Sequence, residues 1–399
     1  MHATQVIETN LGALCQPVHR SRMKSLMTAV EAAVKGQCTS VTGLGRASAR
    51  PVTEKASIKQ MDRLVGNARM QADAPHVYRA MTYWLVGQVG RPVILVDWSP
   101  IADDEGYHVL RASVPVGGQG RTVYQRCHPQ KLYANPEVQA EFLSKLQEIL
   151  PPGSVPIVVT DAGFKKPWFR AVSALGWDWV GRIRGNTKLT RPGETVWLDC
   201  QQLGLLLEQD TPCYLGSFIM TRRESLPCQV YGLRKPPKGR VHKTRGGQRA
   251  QDSKSREHAV GAREPWLLVT SLTGGQDSLA LVLRLYTQRM QIEEDFRATK
   301  SRHYGLGVER SRSRSAARFE VLLLIAALAS FVAWLMGMAA ELQGLHRQYQ
   351  SNSCSKRRWL SHFFLGLKVL ARKPLELSAG MLDRIKQVIR PSLAAGTAP

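Results

Sequence analysis

The sequence is short of acid. Among 399 residues, Asp and Glu number 31 against 55 Lys and Arg, a formal net charge of +24 at pH 7. The isoelectric point is near 10.1. Such a deficit implies a polyanionic partner, because each phosphate neutralised by a cation releases a condensed counterion. Nucleic acid is the first candidate, an anionic membrane surface the second, and a solvated basic surface without a partner the plain alternative. Cysteine is also sparse and badly placed for cross-linking. The seven cysteines, at 15, 38, 127, 200, 213, 228 and 354, are odd in number, and no two have C-x-x-C spacing. This argues against a disulfide framework and a zinc ribbon, and fits a reducing cytoplasm. The opening MHATQVIETN lacks the basic and then apolar pattern of a secretory leader. Long apolar runs are missing except for one. Val321 to Ala340 is twenty residues without a charge, long enough to span a bilayer. It is isolated and rich in small residues, so a helix buried in a soluble core is expected, with a membrane anchor as the alternative. No internal repeat stands out.

What is present reads as a globular chain of two or three domains, with 43% hydrophobic residues. Residues 1 to about 80 have the texture of short helices, Leu26 to Val34 and Ile58 to Leu64, around a glycine turn Ser40 to Arg46. This is a weak likeness to a helical DNA-binding unit, with Arg46, Lys55 and Lys59 as candidate DNA contacts. A helical bundle with a basic face fits the same pattern. Strands follow: Val93 to Trp98, then Tyr107 to Val116 and Arg121 to Cys127 across the turn Gly117 to Gly120. Next come helix Pro136 to Leu150, strand Val155 to Thr160, helix Lys166 to Leu175 and strand Trp177 to Ile183. Three meandering strands feeding alternating elements predict an α/β fold, a mixed sheet flanked by helices. From about 186 the pattern breaks into short strands, Thr195 to Leu198, Cys213 to Met220 and Cys228 to Leu233. Then Arg234 to Arg263 sets ten Lys and Arg against two acids, which reads as a mobile basic loop. Strand Trp266 to Thr270, helix Leu279 to Thr299 and the apolar helix complete the core. The tail from Cys354 is basic and helical, fraying from Pro391.

Two acids, Asp97 and Asp161, end apolar strands, where side chains emerge at the rim of an α/β sheet. A carboxylate there is costly to bury alone, and a shared hard cation removes that cost. Two divalent ions about 4 Å apart would suit phosphodiester chemistry. For Asp161, capping of the following helix is the structural alternative. In the helix Leu279 to Thr299, Tyr286, Arg289, Glu293 and Lys300 fall within a sector of roughly 60° at about 100° per residue. One face thus joins a tyrosine, a carboxylate and two cations, fit either for a metal and phosphates or for a solvated salt-bridged surface. Glu294 and Asp295 could compete for the ligand role but point roughly 80° or more away from Tyr286.

Tyr-x2-Arg-x3-Glu-x6-Lys, here Tyr286, Arg289, Glu293 and Lys300, resembles the YREK signature of the bacterial insertion-sequence transposases of family four. VDWS around Asp97, DAGF around Asp161, GWDWVGRIRG, EPWLLVTSL and YGLGVERSRS also look like that family and occur in its order. The resemblance covers nearly the whole chain and blurs in the basic loop and after about 345. It implies a ribonuclease H-like catalytic core interrupted by a β insertion. On that view residues 1–80 form a helical DNA-end-binding domain, 81–185 and 266–345 the two parts of the core, 186–265 the β-rich basic insertion, and 346–399 a helical region available for dimerisation. The resemblance further implies Asp97, Asp161 and Glu293 as ligands of two Mg2+ ions, for which Mn2+ can substitute. It implies cut-and-paste transposition of double-stranded DNA. The element end is nicked, the freed 3′-hydroxyl forms a hairpin, and the reopened end joins target DNA. Tyr286, Arg289 and Lys300 would contact the DNA end, and Trp266 would stack on a base flipped out at the hairpin, a core tryptophan being the alternative. A homodimeric synaptic complex on inverted-repeat ends, acting in the bacterial cytoplasm at the nucleoid and not at a membrane, follows from the same likeness. The competing readings are a ribonuclease H-like nuclease without strand transfer and a non-catalytic DNA-binding repressor.

Overall fold

The structure is a computed structural model describing residues 15, 17–102, 106–223, 225–236, 248, 264–354, 357–372 and 375–394. In chain order the first elements are helices α1 (Arg20–Gly36), α2 (Val41–Ala47), α3 (Glu54–Val65) and α4 (Ala68–Val86). Strands β1 (Val93–Pro100), β2 (Tyr107–Val116) and β3 (Gln119–Pro129) follow, then α5 (Pro136–Ile149), β4 (Ile157–Thr160), α6 (Lys166–Ala174) and β5 (Asp178–Ile183). Next are β6 (Leu189–Thr190), α7 (Cys200–Leu205), β7 (Cys213–Met220), β8 (Leu226–Leu233) and β9 (Trp266–Thr270). The chain continues through α8 (Leu279–Gln288), α9 (Met290–Lys300), α10 (Ala316–Leu342), α11 (His362–Arg372) and α12 (Ala379–Leu393). The described residues form two compact units, one drawn from 1–156 and 288–397, the other from 157–287.

In the first unit β1, β2 and β3 form an antiparallel meander, with Asp97 opposite Arg111. The hairpin turn is tighter than expected: Gln119 already pairs with Val116, leaving Gly117 and Gly118 as a two-residue loop. The apolar segment is the spine of this unit. Helix α10 is long and apolar enough to cross a membrane, yet every residue from Val321 to Ala340 is buried in the fold. Its small residues have a packing purpose. A Cβ at Gly337 would fall 1.8 Å from the carbonyl oxygen of His362, and one at Gly366 would fall 1.6 Å from that of Ala333. The α10 and α11 backbones therefore touch where only glycine fits.

The second unit holds a mixed sheet. Strands β4 and β5 are parallel, and β5–β9, β9–β8, β8–β7 and β7–β6 are antiparallel. The α/β class is as expected from the order of strands and helices, and the ribonuclease H-like character is as the resemblance implied. Several local expectations are corrected. Ser40 to Arg46 is not a turn but leads into helix α2, whose cap is Ser40 accepting from the Gly43 amide at 3.2 Å. Low glycine propensity is overridden by packing, since a Cβ at Gly45 would meet the Ile58 backbone at 2.6 Å. The expected strand Thr195 to Leu198 is irregular, with Leu198 alone bridging to Leu189. Helix α12 runs through Pro391 to Leu393. Most of the basic loop, 237–247 and 249–263, lies outside the described residues.

His128, on β3, packs its ring against Trp98 with centroids 5.7 Å apart. Burial, reinforced by the nearby Arg126 cation, pushes its pKa down to about 4. Between pH 6.5 and 4 the unfolded chain therefore binds more protons at this site than the folded one, so this contribution to stability falls as pH falls. The expected result is a melting temperature that drops across that window and drops less in His128→Gln. Parallel pH profiles for the two proteins would remove His128 from the acid sensitivity.

Candidate active site

The expectation that Asp97 ends its strand is corrected: β1 runs on to Pro100, still paired with β2, and Asp97 is its fifth residue, half-buried directly after the four buried residues Val93 to Val96. Its Oδ1 accepts the Trp98 amide at 2.8 Å, and its Oδ2 lies 3.3 Å from Arg289 Nη1. Arg289 Nη2 donates to Glu293 Oε1 at 2.9 Å. One guanidinium is thus clamped between two carboxylates that are far apart in sequence. Lys300, at the far end of α9, donates to Ser99 Oγ at 2.6 Å and to the Pro100 carbonyl at 3.0 Å. Asp97, Ser99, Glu293 and Lys300 line an open cavity of about 450 Å³.

The opposite face of α9 is anchored in the core. Asp295, 2% exposed, lies beneath the β2–β3 surface beside Arg111, which is 1% exposed. The two charges stand 3.4 Å apart. Asp295 Oδ2 also accepts from Ser113 Oγ at 2.8 Å and Thr122 Oγ1 at 2.7 Å. Arg111 donates to Gln125 Oε1 at 2.9 Å and Thr299 Oγ1 at 3.0 Å. Its guanidinium carbon lies 4.5 Å from the centre of the Phe296 ring. Burial draws the Arg111 pKa down, while Asp295 opposes that shift. Residues 295 and 299 are one turn apart on the buried side, so the pair fixes the rotation of α9 that sends Glu293 toward Asp97.

The expected single helix Leu279 to Thr299 is corrected. It is two helices, α8 and α9, meeting at Arg289, where the Ile292 amide bonds the Arg289 carbonyl at 3.1 Å in a tightened turn. Arg289, Glu293 and Lys300 come together in the first unit, whereas Tyr286 belongs to the second. There its ring meets Trp266 edge-on at 4.9 Å. Trp266 opens β9, is partly exposed, and carries the Lys235 ammonium 3.7 Å from its ring centre. Asp161 follows β4, also in the second unit. Its Oδ1 accepts the Gly163 amide at 2.8 Å, closing a local turn. The helix beyond it starts at Lys166 with Lys165 as its cap, so Asp161 is not a helix cap. A Cβ on Gly163 would press on Asp161 Oδ1 at 2.9 Å; glycine there leaves the carboxylate its position. Arg46, Lys55 and Lys59 are exposed on α2 and α3, and Arg46 is paired with Glu54 at 2.8 Å. Among the described residues, no three His, Cys, Asp or Glu side chains are grouped so as to hold a metal ion together.

A family model described as the transposase DDE domain matches residues 88–331, well over half of the chain. The chain belongs to the DDE transposase family. A search of curated proteins returns no match. The matched stretch runs from just before β1 into α10, and so contains Asp97, Asp161 and Glu293. Membership carries DNA as the partner and phosphodiester cleavage with strand transfer as the activity. Family members generally use divalent metal ions. Sequence reading missed what Asp295 and Arg111 do in this transposase. The signal was an arginine in the middle of the mostly apolar strand β2 and an aspartate on the inner side of the signature helix, each of which needs a partner once buried.

Proposed function

We propose that this DDE transposase is a cut-and-paste enzyme of insertion-sequence family four, similar to the transposase of insertion sequence ten. The observation that carries the reading is the Arg289 guanidinium held between Asp97 and Glu293: the two carboxylates form a cation site beside the middle of strand β1. Carboxylate oxygens that open on a solvent-filled cavity suit a hard divalent ion, which keeps part of its water. In this reading Asp97 and Glu293 bind Mg2+, Asp161 is the third ligand, and Mn2+ can substitute. Two ions there supply Lewis-acid stabilisation of the attacking and leaving oxygens. Arg289 trades its carboxylates for a phosphate of the DNA end, and Lys300, fixed by Ser99 and Pro100, grips a neighbouring phosphate. Tyr286 contacts the same end. Trp266 stacks on a flipped base; its partly exposed ring already holds a cation against its face. Exposed Arg46, Lys55 and Lys59 steer the inverted repeat. A homodimer holds the two ends and then captures target DNA, in the bacterial cytoplasm at the nucleoid.

The test uses duplexes carrying the element's ends, with Mg2+, with Mn2+ or with chelator. A nick followed by a hairpin is expected with either metal and no cleavage with chelator. Equal cleavage under chelation would overturn the metal assignment, and linear breaks without hairpins would overturn the pathway. Trp266→Ala should slow hairpin formation by about tenfold or more while sparing the first nick, given about 1–3 kcal/mol per stacked base. Equal loss of both steps would take Trp266 out of the flipped-base role.

A further inference from the structure

The second unit contains a basic hollow that none of the roles above uses. It is a cavity of about 340 Å³ where the start of α6, the end of β5 and the end of β7 meet. Five cations line it: Lys165, Lys166, Arg182, Lys188 and Arg222. Among the described residues, no carboxylate does. Its floor is apolar, with Phe164, Phe169 and Met220.

The charges there are only partly cancelled. Lys165 Nζ donates to the Ala162 carbonyl at 2.8 Å. Arg182 Nη2 donates to the carbonyls of Glu264 and Pro265, at 3.2 and 3.3 Å, and the Glu264 carboxylate stands off at 4.0 Å. Among the described residues, its buried Nε has no hydrogen-bond partner. Arg222 rests on the face of Trp197, 5.5 Å from the ring centre. A carbonyl or a ring orients a cation without removing its charge. Lys188 does have a carboxylate, Asp199, at 3.1 Å. Helix α6 begins here without a side-chain cap, so its first amides and its dipole add to the positive potential. Burial draws the Arg182 pKa down, a sign that its surroundings undercompensate its charge.

We propose that this hollow binds the phosphodiester backbone of a DNA strand, with phosphates on the cations and sugar or base faces on the apolar floor. The cations come from three separate segments, which suits a chain of phosphates better than one compact anion. The volume is at the low end for a small-molecule pocket of about 300–1,000 Å³. The proposal rests on the transposase reading, and the strand has two possible sources, the element end and target DNA.

Lys165 and Arg222 are both exposed, so Lys165→Gln with Arg222→Gln should fold; an unchanged melting temperature checks this. Affinity is measured over a salt series for an end duplex and for a duplex of unrelated sequence. Against wild type, the slope of log affinity on log salt should shrink by about two units on whichever duplex the hollow holds. Loss on the end duplex alone assigns the strand to the element. Loss also or only on the unrelated duplex assigns it to target DNA. The control, Lys145→Gln with Lys386→Gln, removes the same charge from α5 and α12, outside the hollow. Equal slope changes in variant and control, or none on either duplex, overturn the proposal. A wild-type protein that binds and cleaves DNA in the same series keeps the transposase reading standing in that event. One that binds neither duplex sinks that reading first, and the hollow's role with it.

Discussion

Glu293→Ala is expected to leave end binding near wild type and to lower cleavage by about a thousandfold or more. The Glu293 side chain is 47% exposed, and its ion pair is with Arg289, one turn back on the same side of the helix. Removing it opens no core cavity and leaves Arg289 still paired with Asp97 at 3.3 Å. Folding should therefore survive. DNA binding should survive too, because one fewer negative charge faces the phosphates. On the proposed assignment, what is lost is an oxygen donor to a divalent ion, whose transition-state stabilisation would be worth several kcal/mol, at about 1.4 kcal/mol per factor of ten. On the proposed ligand set, Asp97→Ala and Asp161→Ala should behave alike, since ligands that act together give losses that do not add. Gel-shift assays on the element end, paired with cleavage assays on the same preparation, make the measurement. A Glu293→Ala protein that cuts at the wild-type rate would remove this residue from the ligand set. One that fails to bind would make Glu293 a structural residue instead.

The strands that carry the site were readable because burial dictates them. A run such as Val93 to Val96 has no stable place except a sheet interior; the acid after such a run leaves the strand at Asp161, whereas at Asp97 the strand continues to Pro100. The apolar helix was readable for the same reason, as its isolation in a basic chain favoured a core. Less readable were features decided by close contact. Gly43 and Gly45 look like a turn until Ile58 packs against the backbone beside them. The signature helix reads as one straight cylinder, yet it divides at Arg289, whose side chain is drawn to Asp97 and Glu293. Helical projection separated Asp295 from the ligand face, which agrees with its burial, but projection alone does not show what a turned-away carboxylate is paired with. That requires knowing that Arg111, in register opposite Asp97 on the neighbouring strand, points under the helix.

Asp295→Ala is expected to destabilise the fold by about 3–5 kcal/mol, the usual cost of stranding one half of a buried ion pair. Arg111 would keep its hydrogen bonds to Gln125 and Thr299. Among the described residues, its charge would then have no ion-pair partner at 1% exposure. The hydroxyls of Ser113 and Thr122 would lose their acceptor as well. A second buried guanidinium raises the cost. Arg121, 2% exposed, is pulled down to about 10 by burial, and the Asp295 charge opposes that shift. Urea unfolding followed by circular dichroism gives the number, and a loss below about 1 kcal/mol would show that water reaches the site and solvates Arg111. The double variant Asp295→Leu with Arg111→Met separates charge from shape. If the pair contributes little net stability, as buried pairs often do, the double variant should recover most of the loss. Its cleavage rate is then the informative quantity. Apolar side chains can fill the space between α9 and the β2–β3 surface, but they do not fix the rotation of the helix as a hydrogen-bonded pair does. A stable double variant with slow cleavage would mean that the buried charges are retained to aim Glu293. Stable and fast would mean that packing alone aims it.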